Sequence, residues 1–242
     1  MSGLIWHEVE CGAYRADLPV WEQLAAENKG PIMELGCGAG RVVVHLAEAT
    51  GELVVGVDRD EDLVEAVWNR AEGMGHSGEA EIGDVRGFEL HFEFQLVLAP
   101  MQLIQLLEER TDRICCLSCV ADHLLPGGRA AFAIIEEVPV VPAEGAAPQL
   151  PDVREVDGWV YSSLPLEPEV RADSVLLRRL RQTVAPDGQL SEELNEIELQ
   201  LLSAETLEAE AVEMGLRPIG RREILPTEAH VGSTVVLFER EV

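Results

Sequence analysis

The chain has 242 residues, 47% of them hydrophobic, and this composition is typical of a folded globular protein rather than a disordered one. It carries 45 acidic and 18 basic residues, which gives a formal net charge of −27. Because a field of that sign repels phosphate backbones and anionic lipid, the composition argues against nucleic acid and membranes as partners.

Targeting and redox features point to a cytoplasmic protein. The N-terminal segment lacks a basic start and an apolar core, and no apolar run approaches the ~18–20 residues of a membrane helix. The five cysteines are odd in number, and neither a second C-x-x-C nor a nearby histidine pair completes Cys116 and Cys119 as a zinc site. We therefore predict reduced thiols, no secretory signal and no metal.

Strand and helix patterns alternate through the first half of the chain. The predicted helices lie at 18–28, 41–49, 60–71 and 113–125, and the predicted strands at 32–35, 53–57, 80–82, 96–99 and 129–135, the last after a turn at 126–128. Short connections between alternating strands and helices predict an α/β fold, with a parallel sheet covered by helices on both faces.

The pattern changes after residue 137. Six prolines between 138 and 170 exclude a continuous helix or a central strand. Alternation over 175–184 and 190–202 predicts a hairpin around Pro186-Asp187-Gly188, with 159–163 as a candidate third strand. A capped helix at 206–214 and strands at 216–225 and 233–240 follow. We divide the chain into 1–137, a core with an N-terminal lid helix; 138–202, a β-rich insertion over the acceptor side; and 203–242, which completes the core sheet.

A glycine-rich turn follows the first predicted strand. Residues 31–41 read P-I-M-E-L-G-C-G-A-G-R, with glycine at 36, 38 and 40. Glycine lets the backbone adopt positive φ and lets a ligand approach the chain closely. The dinucleotide fingerprint G-x-G-x-x-G requires a small residue at 41, where this chain has Arg41. The turn therefore predicts a nucleotide-type ligand but does not match the dinucleotide pattern.

Acidic residues stand at the ends of the next two predicted strands. Asp58 ends the second strand, where a carboxylate can accept both hydrogen bonds of a ribose diol. Asp84 ends the third strand and can accept a hydrogen bond from an adenine amino group. Ligands of open α/β sheets bind at the carboxyl ends of the strands, so these residues are predicted to share one site with the glycine turn.

The segments E-L-G-C-G-A-G-R, V-V-G-V-D, G-D-V-R, F-Q-L-V-L-A and L-L-P-G-G-R resemble, in order and spacing, the motifs of small-molecule class I S-adenosylmethionine-dependent methyltransferases. The resemblance covers about 14–136 and 200–240. It implies a Rossmann-like seven-stranded sheet, mostly parallel with the last strand antiparallel, interrupted here by the β-rich insertion after the fifth strand. It also implies S-adenosylmethionine as the cofactor.

The resemblance assigns roles to individual residues. Gly36 and Gly38 would lie against the methionine part of the cofactor, with Glu34 near its amino group, while Asp58 would hold the ribose. Tyr14 and Trp21 resemble an N-terminal lid. The expected cofactor-binding residues are Tyr14, Glu34, Gly36, Cys37, Gly38, Gly40, Asp58, Arg59, Asp84, Val85, Ala99, Pro100, Met101 and Gln102. Arg41 is equally well read as a solvated helix residue or as a ligand contact.

Methyl transfer is an in-line displacement that chiefly requires alignment, and a base when the nucleophile is a hydroxyl. The base candidates are Glu136, which follows the fifth strand, and His230, in the loop before the last strand. A solvated acid and an ordinary loop histidine are the competing interpretations. The remaining histidines show no partner constellation.

The predicted function is methyl transfer to a small organic acceptor on O, N or C, with Trp159 and Tyr161 of the insertion shaping the acceptor pocket. Two alternatives stay open. One is a protein that binds S-adenosylmethionine without transferring methyl groups, and the other is an NAD-type oxidoreductase. The sequence leaves monomer and homodimer equally possible.

Overall fold

The computed structural model describes residues 2–72, 78–137, 150–227 and 230–241. The helices are α1 (Ser2–Glu10), α2 (Leu18–Glu27), α3 (Arg41–Thr50), α4 (Glu61–Glu72), α5 (Arg110–His123) and α6 (Ala204–Glu213), with a 3-10 turn at Leu103–Leu106. The strands are β1 (Ile32–Leu35), β2 (Val54–Asp58), β3 (Gly78–Ile82), β4 (Phe94–Ala99), β5 (Leu124–Ile134), β6 (Asp152–Val156), β7 (Trp159–Pro165), β8 (Glu169–Val170), β9 (Ser174–Val184), β10 (Leu190–Gln200), β11 (Leu216–Ile224) and β12 (Ser233–Arg240).

The larger sheet of the described chain has seven strands in the order β11-β12-β5-β4-β1-β2-β3. Strands β1 to β5 pair in parallel, and β12 is antiparallel to both of its neighbours. The predicted α/β fold, with its last strand antiparallel, is therefore confirmed. The strand order reverses between β1 and β4, and the crevice at such a reversal is where these sheets bind ligands.

Burial of both sheet faces explains why the strands read as continuous apolar runs. Met33 and Leu35 of β1 pack with α5 and α6 on one face, while Ile32 packs with α2, α3 and α4 on the other. When the side chains of a strand point alternately into two apolar layers, no position in the strand has to be polar. The core therefore fixes the carboxyl ends of β1, β2 and β4 rigidly at one edge.

A second sheet, in the order β10-β9-β7-β6 with β8 beside β9, is antiparallel throughout. The predicted hairpin is present, with Val184 opposite Leu190. Strand β6 was not predicted, because its five residues are mostly exposed and its polar sequence gives little periodic signal. The predicted start of the insertion at 138 lies outside the described residues.

Two other expectations differ from the structure. The predicted turn at 126–128 lies inside β5, whose register with β4 shifts between Phe94 and Leu96 and absorbs the Pro-Gly-Gly sequence as a bulge. No element was predicted for residues 2–10, which form α1. Within the described part of the chain, no helix has the length and apolarity to cross a bilayer.

Candidate functional site

The glycine turn leaves β1 with the backbone geometry that its sequence predicts. Gly36, Gly38 and Gly40 have φ of 61°, 54° and 80°, all in the left-handed region. A Cβ on Gly36 would lie 2.7 Å from Leu103 Cδ1. Substitution at Gly36 is therefore opposed both by backbone conformation and by space.

Asp58 joins the end of β2 to this turn. Its Oδ2 accepts a hydrogen bond from the Gly38 N–H at 2.8 Å, and its Oδ1 accepts one from the Asp60 N–H at 3.0 Å. An ionised carboxylate has about four acceptor positions, so about two stay available for a ligand. This orientation suits a pair of neighbouring hydroxyl donors.

Glu34 presents an unsatisfied carboxyl oxygen beneath the turn. The side chain is buried, and its Oε2 has no hydrogen-bond partner. Burial raises the pKa of Glu34 to about 8, against the opposing effect of Arg41. Because an orphaned buried acceptor is costly, a ligand donor at this point would be stabilising. With the glycine turn and Asp58, this makes the residues present fit an amino-acid nucleoside such as S-adenosylmethionine.

The Arg41 side chain is not exposed to solvent, and its guanidinium binds another residue of the chain. Its guanidinium forms a two-pronged ion pair with Asp17, at 2.7 and 2.6 Å, and its side chain is only 7% exposed. The Trp21 indole N–H donates to the same carboxylate at 2.9 Å. Trp21 itself is fully buried against α3, so its predicted place in a lid is wrong: it is a core residue.

Tyr14 and His230 meet although they are far apart in sequence. Their ring centroids lie 4.6 Å apart in an edge-to-face contact, and the Arg41 guanidinium carbon lies 5.2 Å from the Tyr14 ring centroid. Tyr14 is half-buried and His230 is exposed. The structure thus brings one predicted cofactor residue and one predicted base together.

The adenine-side candidates lie at the end of β3. The Gly83 N–H donates to the Asp58 carbonyl oxygen at 2.9 Å, which joins the ends of β2 and β3. Hydrogen bonds from Arg86, one at 2.6 Å, lower the pKa of Asp84 to about 2, so the carboxylate stays ionised. Val85 is buried, whereas Arg59 is exposed.

The loop after β4 has an unusual backbone. Met101 and Gln102 have φ of 52° and 61°, which non-glycine residues rarely adopt. Gln102 Nε2 donates to Ser233 Oγ at 3.0 Å, which ties this loop to β12. Ala99 and Pro100 are buried.

Sequence reasoning missed Gln105, which is buried just after this loop. Its Nε2 donates to the carbonyl oxygens of Ile135 and Gln200 at 2.9 and 2.8 Å, and its Oε1 accepts from the Ile135 N–H at 2.7 Å. A glutamine inside the apolar run L-I-Q-L-L was the available signal. It fixes the end of β5 to the end of β10, and so places the second sheet on the core.

Two predicted residues have their side chains engaged elsewhere. Both carboxylate oxygens of Glu136 accept hydrogen bonds, from the Ala204 N–H at 2.9 Å and from Thr234 Oγ1 at 2.8 Å. Glu136 thus secures the start of α6, and this contact favours a structural role. The Cys37 thiol is buried against Gly56 of β2, so Cys37 faces the core and offers only its backbone to the turn.

Helix α1, which the sequence did not predict, covers the glycine turn. A Cβ on Gly38 would overlap the His7 imidazole. Glu8 forms ion pairs with Arg70 of α4 and Arg154 of β6. Glu10 forms one with Arg181 of β9, at 2.7 Å. The helix is therefore held between the core and the second sheet.

A cavity of about 1090 Å³ lies between α1, α4 and the second sheet. Trp159 and Tyr161, which were predicted to shape an acceptor pocket, line it together with Trp6. Its lining contains six acidic residues and three arginines. The same helix separates it from the glycine turn, since Trp6 and Glu8 face the cavity and His7 faces Gly38.

Among the described residues, no group of three or more histidine, cysteine or acidic side chains is arranged to hold a metal ion.

Residues 32–128 match the family model described as a methyltransferase domain. A curated relative, the cypemycin N-terminal methyltransferase of a Streptomyces species, is 32% identical over 99 residues, which cover 41% of this chain and only 39% of that protein. The fold resembles the sugar N-methyltransferase KedS8 of Streptoalloteichus, with a TM-score of 0.75 at 17% identity, over 100% of this chain and 93% of that one. It also resembles an S-adenosylmethionine-dependent methyltransferase of Clostridium acetobutylicum, with a TM-score of 0.72 at 14% identity, over 98% and 97% of the two chains.

Proposed function

We propose that this chain is a class I S-adenosylmethionine-dependent methyltransferase and that it transfers a methyl group from that cofactor to an amine of a small organic molecule. The observation that carries the proposal is the closed arrangement at the end of β1. There the left-handed glycine turn, the Asp58 carboxylate bonded into it and the orphaned Glu34 oxygen converge.

The role of this chain's own residues is to bind and orient the cofactor. When bound, S-adenosylmethionine supplies an activated methyl group on its sulfonium. Asp58 would hold the ribose hydroxyls with its remaining acceptor positions, and Glu34 would meet the amino group. Asp84 and Val85 would frame the adenine, and the loop at 99–102 would lie beside the reacting carbon. Gln102, fixed to Ser233, keeps that loop in its strained conformation.

The choice of an amine as acceptor rests on charge and on the relatives. The cavity bounded by Trp159 and Tyr161 has three more acidic residues than arginines, and aromatic walls with carboxylates favour organic cations. One of the similar proteins is named as a sugar N-methyltransferase, and another as an N-terminal methyltransferase. We place the body of the acceptor in this cavity, with its amine extending past α1 to the side of the glycine turn, where the transfer would take place.

An acidic cavity also favours the protonated form of an amine, which is not a nucleophile. Removal of that proton therefore requires a base on the side where transfer occurs. We assign this role to His230, held edge-on against Tyr14, rather than to Glu136, whose two oxygens already accept hydrogen bonds from the start of α6 and from Thr234.

The test is formation of S-adenosylhomocysteine with paired acceptors, such as an amino sugar and the parent sugar that bears a hydroxyl at the same carbon. We expect methylated product from the amine and none from the parent sugar. Product from the hydroxyl partner alone would contradict the amine assignment. Cofactor binding without product across a broad panel would favour a binding protein that does not transfer methyl groups.

A further inference from the structure

We propose that His7 of α1 is part of the cofactor-binding site and contacts the ligand bound at the glycine turn. This inference rests on the proposed function. It extends the site to a helix outside the matching domain segment 32–128.

The position of His7 is the first argument. Its ring lies so close to Gly38 that any Cβ there would overlap it. Gly38 donates its N–H to Asp58, the residue assigned to the ribose. The imidazole therefore lies at the rim of the space where the turn and the carboxylate would hold the cofactor.

The second argument is an unsatisfied polar atom. Nδ1 of His7 is buried and has no hydrogen-bond partner in the described part of the chain. A buried ring nitrogen without a partner is destabilising, and a ligand hydroxyl or amino group would remove that cost. Glu34 presents a second such atom under the same turn. An orphaned polar atom beside the glycine turn indicates a polar ligand there.

The third argument is that α1 is fixed where it lies. Glu10 bonds to Ser163 Oγ and to Arg181, each at 2.7 Å. The Trp6 ring meets Tyr161 edge-on, with centroids 5.6 Å apart, and lies 5.1 Å from the Arg181 guanidinium carbon. A contact residue held by several such interactions is already oriented before the ligand arrives.

Charge around the imidazole is balanced. The neighbouring charged groups are two acids, Glu8 and Asp58, and two arginines, Arg41 and Arg70. Burial is therefore the main cause of the lowered pKa of His7. A neutral imidazole can donate from one ring nitrogen and accept at the other. It therefore suits a ligand that carries both hydroxyl and amino groups.

The experiment is calorimetric titration of S-adenosylhomocysteine into the wild-type protein and into the variants His7→Ala, His7→Gln and Ile5→Ala. Ile5 lines the cavity on the far side of α1, so Ile5→Ala is the matched control. We expect His7→Ala to weaken binding about 10-fold, the scale of one buried polar group left unpaired, with His7→Gln intermediate and Ile5→Ala unchanged.

Histidine-selective NMR of the wild type gives a readout that does not depend on any variant folding. We expect an Overhauser contact between the His7 ring protons and the ligand, with the His7 signal assigned from through-bond correlations in the labelled wild type. Unchanged or tighter binding by a folded His7→Ala, or no such contact in a saturated sample, would overturn the inference and leave the proposed function standing. Failure of the wild-type protein to bind would overturn both.

Discussion

Glu34 is the residue whose ionisation should report cofactor binding. Without ligand, burial keeps its pKa near 8, so the carboxyl is protonated at pH 7; the charged groups around it are Arg41, Asp17 and Asp58. An ammonium group brought to Glu34 would lower that pKa and expel the proton. We expect about one proton released per S-adenosylmethionine bound at pH 7.

Titrations in buffers that differ in ionisation enthalpy measure this release directly. The Glu34→Gln variant should bind with no release and serves as the control. Binding by the wild type without proton release would place the amino group elsewhere.

Asp17 should contribute far more to stability than a surface acid. It is 1% exposed and satisfies both Arg41 and the Trp21 indole, so its removal leaves a buried cation unpaired. We expect Asp17→Ala to lower the free energy of unfolding by about 3–5 kcal/mol.

Asp112 provides the comparison, because its ion pair with Arg86 is 34–43% exposed. Asp112→Ala should change stability by about 1 kcal/mol or less. Urea denaturation of the two variants measures both values. Equal losses would show that the Arg41 pair is not buried in solution.

At the scale of the element, Glu136 should act on α6 rather than on catalysis. The Glu136→Gln variant weakens a charged contact to the first backbone N–H of that helix, so we expect a loss of about 0.5–2 kcal/mol in unfolding free energy with little change in kcat. The adjacent exposed Glu137→Gln is the control and should change neither. A large fall in kcat for a stable Glu136→Gln protein would restore Glu136 as a base.

We expect the second sheet to affect binding of the acceptor and not binding of the cofactor. Trp159 is 41% exposed and lines the cavity, so Trp159→Ala should raise KM for the acceptor about 10-fold and leave S-adenosylmethionine affinity unchanged. Phe92→Ala, also at an exposed aromatic residue, is the control. Unchanged steady-state constants in Trp159→Ala would remove the cavity from the acceptor site.

Sequence predicts an element well where local pattern and burial agree. The bounds of strand β1 and of helices α2 and α3 were predicted almost to the residue. The strand is apolar because both sheet faces are buried, and the residues that end each helix are adjacent to it in sequence. Helix α1 was missed because its contacts are distant: Glu8 with Arg154 and Glu10 with Arg181 have no local signature. The bulge in β5 was missed since Pro-Gly-Gly ordinarily forms a turn.

Over the whole molecule, α1 lies between the two regions of the described chain that we assign to the cofactor and to the acceptor. One holds the glycine turn, with Asp58 and Glu34. The other is the acidic cavity beneath the second sheet. The sequence predicted that the glycine turn and Asp58 come together, because each stands where a strand ends and the topology brings those ends to one edge of the sheet. It did not predict how the second sheet meets the core, since Gln105 and the α1 ion pairs set that arrangement over long sequence distances.

The most direct test of the account is parallel calorimetric titration of the wild-type and Asp58→Ala proteins with S-adenosylmethionine, S-adenosylhomocysteine and NADH. We predict that the wild type binds the first two and not NADH, and that Asp58→Ala weakens binding by roughly 1–3 kcal/mol. Binding of NADH alone, or equal affinity in a folded Asp58→Ala protein, would contradict the assignment of this site.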